Sequence, residues 1–160
     1  MPQNVHKRSR VVLACSLILG LLGLVWYLLN FRNKPPQVIA RVLRSEGMSD
    51  RMVKYWTAVS AYETNGWSSR VFRDSDNLFN LIVPKSNRLP YGEGQTIFES
   101  RELAAKGLFM HVIKPFRYPL EVSSLDELTE VMKQKGYYEI SQGDYLRGVT
   151  AWYKKLYGDE

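Results

Sequence analysis

The chain opens on an apolar run without period and continues in segments of helical period that are interrupted once. From Val11 to Leu29, nineteen successive residues carry no charge and no proline. At about 1.5 Å per residue, such a run matches the hydrocarbon thickness of a bilayer. Lys7, Arg8 and Arg10 precede it, and Trp26 and Tyr27 stand near its far end, where amphipathic rings favour the membrane interface. The pattern predicts a short basic tail over 1–10 and one transmembrane helix over 11–30, with the N-terminus inside. A cleaved signal peptide is the competing reading, but the run exceeds a typical h-region and no small-x-small site follows it.

Asn33-Lys34-Pro35-Pro36 then breaks the pattern. Residues 31–48 read as a spacer carrying a short helix, Gln37 to Ser45, with Val38, Ile39, Val42 and Leu43 on one face. Ser49 or Asp50 caps a longer helix to about Thr64, with Met52, Val53, Trp56 and Val59 near helical spacing. A short helix is expected over Ser68 to Asp74. Between Leu81 and Phe98 the period is lost. Pro84, Asn87, Pro90, Gly92 and Gly94 punctuate short apolar pieces, which predicts a loop or a small β-hairpin. Ser100 opens another helix, with Leu103, Ala104, Leu108, Val112 and Ile113 as its stripe. Ser124-Leu125-Asp126-Glu127 reads as a capping box for a helix that stops at Gly136. Ser141 starts a last helix with Tyr145, Val149, Trp152, Tyr153 and Leu156 facing inward. The expected fold class is α+β, mostly α, as one domain over 49–160.

Composition narrows the picture only slightly. Of the 160 residues, about 110 to 125 remain for the domain, an ordinary single-domain size. The net charge of +6 fits an anionic partner such as a cell-wall polymer, a membrane face or nucleic acid, although a nucleic-acid partner is not expected. Cys15 is the only cysteine, so no intramolecular disulfide forms. His6 and His111 have no metal-ligand partner at useful spacing, so neither a metal nor a cofactor is expected. No Ser/His/Asp or Cys/His arrangement and no glycine-rich phosphate loop is visible.

The chemistry concentrates in Ser60-Ala61-Tyr62-Glu63-Thr64-Asn65-Gly66-Trp67, with Asp76-Asn77-Leu78-Phe79 ten residues after Gly66. This places a glutamate at the end of an apolar helix beside aromatic side chains, a setting that raises a carboxyl pKa and lets it donate a proton near neutral pH. An acid of that kind cleaves glycosidic bonds. An exposed glutamate at a helix end satisfies the same spacing, and Asn77, Leu78 and Phe79 serve equally as a turn cap and core. The three tyrosines Tyr137, Tyr138 and Tyr145 read by default as packing aromatics.

In order and spacing these motifs resemble the peptidoglycan glucosaminidases of glycoside hydrolase family 73, within the lysozyme-like superfamily. The matches are Glu63-Thr64-Asn65-Gly66, Asp76-Asn77-Leu78-Phe79-Asn80, Phe98-Glu99-Ser100 and Gly136-Tyr137-Tyr138, with Tyr145 further on. They span roughly residues 49 to 157. Asn65 and Asn80 stand where the family has glycine, and Phe98 where it has tyrosine.

The resemblance implies a lysozyme-like domain with a small β element behind one membrane anchor, acting on peptidoglycan glycan strands on the wall side of a bilayer or in a virion membrane. It implies Glu63 as general acid, with Trp67, Asn77, Phe79, Tyr137 and Tyr138 shaping the substrate cleft. A second carboxylate is expected from the β element. Glu93, flanked by Gly92 and Gly94, is best placed, with Glu99, Asp74 and Asp76 as alternatives and a substrate-assisted route needing none. Within the same fold, a lytic transglycosylase or an inactive glycan-binding protein are the other expectations.

Overall fold

The computed structural model describes residues 16–26, 34–90 and 94–159. Residues 16–26 are helical (α1) and exposed on every side. They are the described part of the apolar run; residues 11–15 and 27–29 of it lie outside the description. No helix among the described residues is long and apolar enough to cross a membrane. Six further helices follow: α2 (Pro35–Ser45), α3 (Asp50–Glu63), α4 (Arg70–Ser75), α5 (Arg101–Leu108), α6 (Leu125–Gln134) and α7 (Gln142–Tyr157). A π-helical turn, Phe109–Ile113, continues α5.

Serine starts five of these helices. The hydroxyl oxygens of Ser49, Ser69, Ser100, Ser124 and Ser141 accept from the backbone N–H groups of Met52, Phe72, Leu103, Glu127 and Asp144. Each bond satisfies a donor that the helix itself leaves free, and replacing such a cap typically costs about 1 kcal/mol. The expected box at Ser124 is shifted by one residue. The Glu127 carboxylate reaches back to Ser123 and accepts from both its N–H and its hydroxyl. Helix α2 starts differently, on Pro35, whose missing N–H costs nothing in a first turn.

The central helix is α3. Met52, Val53, Tyr55, Trp56, Ala58, Val59 and Ala61 are all buried, so apolar positions surround its axis rather than forming one stripe. Helix α7 packs along one side, α2 along another, α5 on α2, and α6 on α7. Trp56 is fully buried and meets Phe79, Tyr118 and Tyr137 edge-on, at 6.4, 5.8 and 6.0 Å between ring centres.

The structure revises three expectations. Helix α2 belongs to the core, with Val38, Ile39, Val42 and Leu43 buried, rather than to a spacer. The segment expected as a loop or a small β-hairpin is an irregular loop with a single antiparallel bridge between Arg88 and Thr96, so the described residues are α-rich rather than α+β. In α5 the buried residues are Ala104, Ala105, Gly107 and Leu108, whereas Leu103 is exposed. The last helix does turn Tyr145, Val149 and Tyr153 inward, and leaves Trp152 and Leu156 half-buried.

The α3–α7 contact is closest at Gly148, where an added Cβ would lie 2.2 Å from the Tyr62 ring. Gly148→Ala gains about 1 kcal/mol of helix propensity but forces the two helices apart, an overpacking cost of about 1–3 kcal/mol. We expect a net loss of stability, read as a lower midpoint of thermal unfolding. The control Gly143→Ala, whose nearest neighbour lies 4.0 Å away, leaves the midpoint unchanged or raised.

Candidate active site

Glu63 is the last residue of α3 and half-buried in the wall of a cleft of ≈ 630 Å³. The cleft is lined by the 79–82 loop, Gln95, the π-helical turn through His111 and Val112 with Phe116 and Tyr118 beyond it, and the 135–139 segment after α6.

The backbone beyond Glu63 reverses through three successive left-handed residues, Asn65, Gly66 and Trp67, at φ 50°, 65° and 59°. Only glycine adopts that conformation freely, and asparagine tolerates it better than most residues. Gly66 is further constrained because an added Cβ would lie 2.3 Å from the Trp152 ring. Asn80 also has φ 50°. Both asparagines that stand where the resembled family has glycine therefore keep the backbone that glycine would adopt. Asn80 gains a contact as well, its side-chain amide donating to the Glu63 carbonyl oxygen.

The Glu63 carboxylate accepts from the Tyr145 hydroxyl at 2.6 Å. Burial raises its pKa above the ordinary 4.5, outweighing the hydrogen bonds from Tyr145 and Asn80, which lower it. Burial likewise holds Tyr145 far above the tyrosine range, with Tyr137 and Glu63 adding to the effect, so its hydroxyl stays a donor. Tyr145 is itself fixed by rings, stacked on Tyr138 (3.7 Å, 2°) and edge-on to Tyr62 (5.0 Å, 81°). Tyr118, across the cleft, is pushed up to about 12, by burial first and then by Tyr138.

The expected site residues divide. Glu63, Phe79, Tyr137 and Tyr138 come together on the cleft. The Tyr137 hydroxyl and Asn80 Oδ1 are buried there without a hydrogen-bond partner among the described residues, a cost of about 1–3 kcal/mol each. Asn77 is not a contact residue. It is fully buried, its Nδ2 donating to the carbonyls of Leu81 (2.9 Å) and Thr96 (3.1 Å) and its Oδ1 accepting from the N–H groups of Leu81 and Phe79. It shapes the loop from within. Trp67 does not line the cleft either, because the left-handed turn folds its indole back on α3, where Nε1 donates to Ser60 Oγ at 3.0 Å.

Asp76 is paired with Arg101 (3.0 Å) and Asp74 with Arg70 (3.6 Å), both away from the cleft. Glu99 lines two other depressions. Glu93 lies outside the described residues, while Gln95, two positions on, lines the cleft. The sequence pattern did not single out Tyr118, His111 or Glu139 as cleft residues. They stand in loops and a π-helical turn, where no period marks a facing side.

Because the folded-state pKa of Glu63 is raised, its contribution to stability is complete below about 4.5 and is lost as pH rises through the raised value. Glu63→Gln removes that loss while keeping the acceptor for Tyr145. We expect the variant to unfold at a higher temperature than the unmodified chain at pH 8, with the gap closing at pH 4. A gap independent of pH would show that Glu63 is not desolvated.

Neither a family model, nor a curated protein, nor a solved structure matches this chain.

Proposed function

We propose that the chain is a peptidoglycan hydrolase with a lysozyme-like domain. It cleaves glycan strands between N-acetylglucosamine and N-acetylmuramic acid by general acid catalysis from Glu63. The observation that carries this reading is a single desolvated glutamate at a helix end, facing a cleft large enough for sugar rings and bonded to a tyrosine that cannot ionise near neutral pH. A carboxyl with a raised pKa remains protonated where an ordinary one is charged, which is the state that delivers a proton to a leaving oxygen. Tyr138 borders the cleft beside Glu63, and Phe79 and the Tyr137 hydroxyl are buried in its wall. The reading places the domain on the wall side of a bilayer, anchored through residues 11–29.

The test is digestion of purified peptidoglycan by the full-length chain in detergent, with mass analysis of the products. Products with a reducing N-acetylglucosamine end are expected. Anhydro-muramic ends would make the protein a lytic transglycosylase, and binding without cleavage an inactive glycan-binding module. Glu63→Gln is expected to lower the rate by about 10²- to 10⁴-fold, the usual worth of a general acid.

Tyr145→Phe makes a separate prediction. Loss of its hydrogen bond removes an interaction that lowers the Glu63 pKa. The alkaline limb of the pH–rate profile should therefore move to higher pH. A limb that stays in place would separate Tyr145 from the titration of the acid.

A further inference from the structure

Resting on the hydrolase reading above, we infer that Glu139 is the second carboxylate of the site, the base that takes a proton from the attacking water.

Among the described residues, the only carboxylates lining the cleft are Glu63 and Glu139. Asp74 and Asp76 are held by arginines elsewhere, and Glu99 faces other depressions. The Glu139 side chain is exposed, and its carboxylate makes no hydrogen bond or ion pair among the described residues. The cleft thus pairs a desolvated carboxyl with a solvent-facing one. Two carboxyls in contrasting environments are the arrangement in which one donates a proton and the other accepts it.

Although its side chain is free, the backbone of Glu139 is not. Lys133 Nζ donates to its carbonyl oxygen at 2.7 Å. The preceding Tyr138 donates its hydroxyl to the Thr129 carbonyl at 2.7 Å and stacks on Tyr145, which holds Glu63. A continuous set of contacts therefore runs from the acid through Tyr145 to Tyr138, the residue before the base. His111 and Lys135 line the same cleft, the latter with Nζ 5.5 Å from the centre of the Tyr118 ring.

The step balances without a further reactant. The bond from the anomeric carbon to the glycosidic oxygen breaks, and that oxygen takes the proton of Glu63. A water oxygen bonds to the anomeric carbon from the opposite face, and its proton passes to Glu139. Water placed between acid and base in this way inverts the anomeric centre.

The experiment compares Glu139→Gln, Glu139→Ala, Glu93→Gln and Glu63→Gln in the full-length chain in detergent, acting on purified peptidoglycan. Glu139→Gln should keep the thermal unfolding and KM of the unmodified chain and lose about 10²-fold in kcat. Its kcat/KM profile should lose the acid limb and keep the alkaline one. Azide should restore turnover to Glu139→Ala, giving a glycosyl azide of inverted configuration, and Glu93→Gln should retain full activity. The inference is overturned if Glu139→Gln keeps its rate and acid limb, if the lost limb and azide rescue belong to Glu93, or if the product anomer is retained. In those three cases an inactive Glu63→Gln leaves the hydrolase reading standing. An unmodified chain that does not cleave, or a fully active Glu63→Gln, ends both.

Discussion

A carboxylate at the C-terminal end of a helix meets the negative pole of the backbone, and Glu63 meets it at the end of a helix enclosed on almost every side. Taking a charge out of water is costly, so a carboxyl placed there favours its neutral form unless a cation or several donors compensate. This site supplies only partial compensation. The donors are a tyrosine hydroxyl and an amide, both neutral, and no cation is paired with Glu63 among the described residues. The partial balance leaves the Glu63 pKa raised rather than restored to its ordinary value.

The surroundings of Glu63 depend on small polar side chains that tie irregular backbone to α3. Ser60, one turn before Glu63, donates to the Leu78 carbonyl at 2.6 Å and accepts from the Trp67 indole. It therefore fastens both the left-handed turn after the acid and the loop that forms the cleft floor. Asn77 does the same work inside that loop. With no sheet among the described residues to supply regular backbone pairing, these side chains satisfy buried peptide groups that would otherwise be unpaired.

Much of the helical framework was legible in the sequence because serine caps and 3.6-residue spacing are local signals. Ser49, Ser100, Ser124 and Ser141 each marked a helix start correctly. Helix α2 was underread for a local reason too, since Pro35-Pro36 looks like a spacer although proline also suits a first helical turn. At the site, the cleft position of Glu63, Phe79 and Tyr137 could be anticipated from motif order, but the partner of the acid could not. Tyr145 occupies a buried position of α7, and nothing in an amphipathic pattern distinguishes a tyrosine that only packs from one whose hydroxyl reaches a carboxylate. Trp67 misled in the opposite direction. An aromatic beside the acid suggests a sugar platform, yet the positive φ of its own backbone carries it away from the cleft.

The Tyr145–Glu63 bond joins residues 82 positions apart in the chain. A ribosome releases Glu63 well before Tyr145, and through that interval the carboxylate is an ordinary hydrated one. The Tyr145 bond, and the burial that the final helix adds around this carboxyl, come only afterwards. The setting of Glu63 is therefore completed last, and a chain cut short before the final helix lacks the partner that holds this carboxyl.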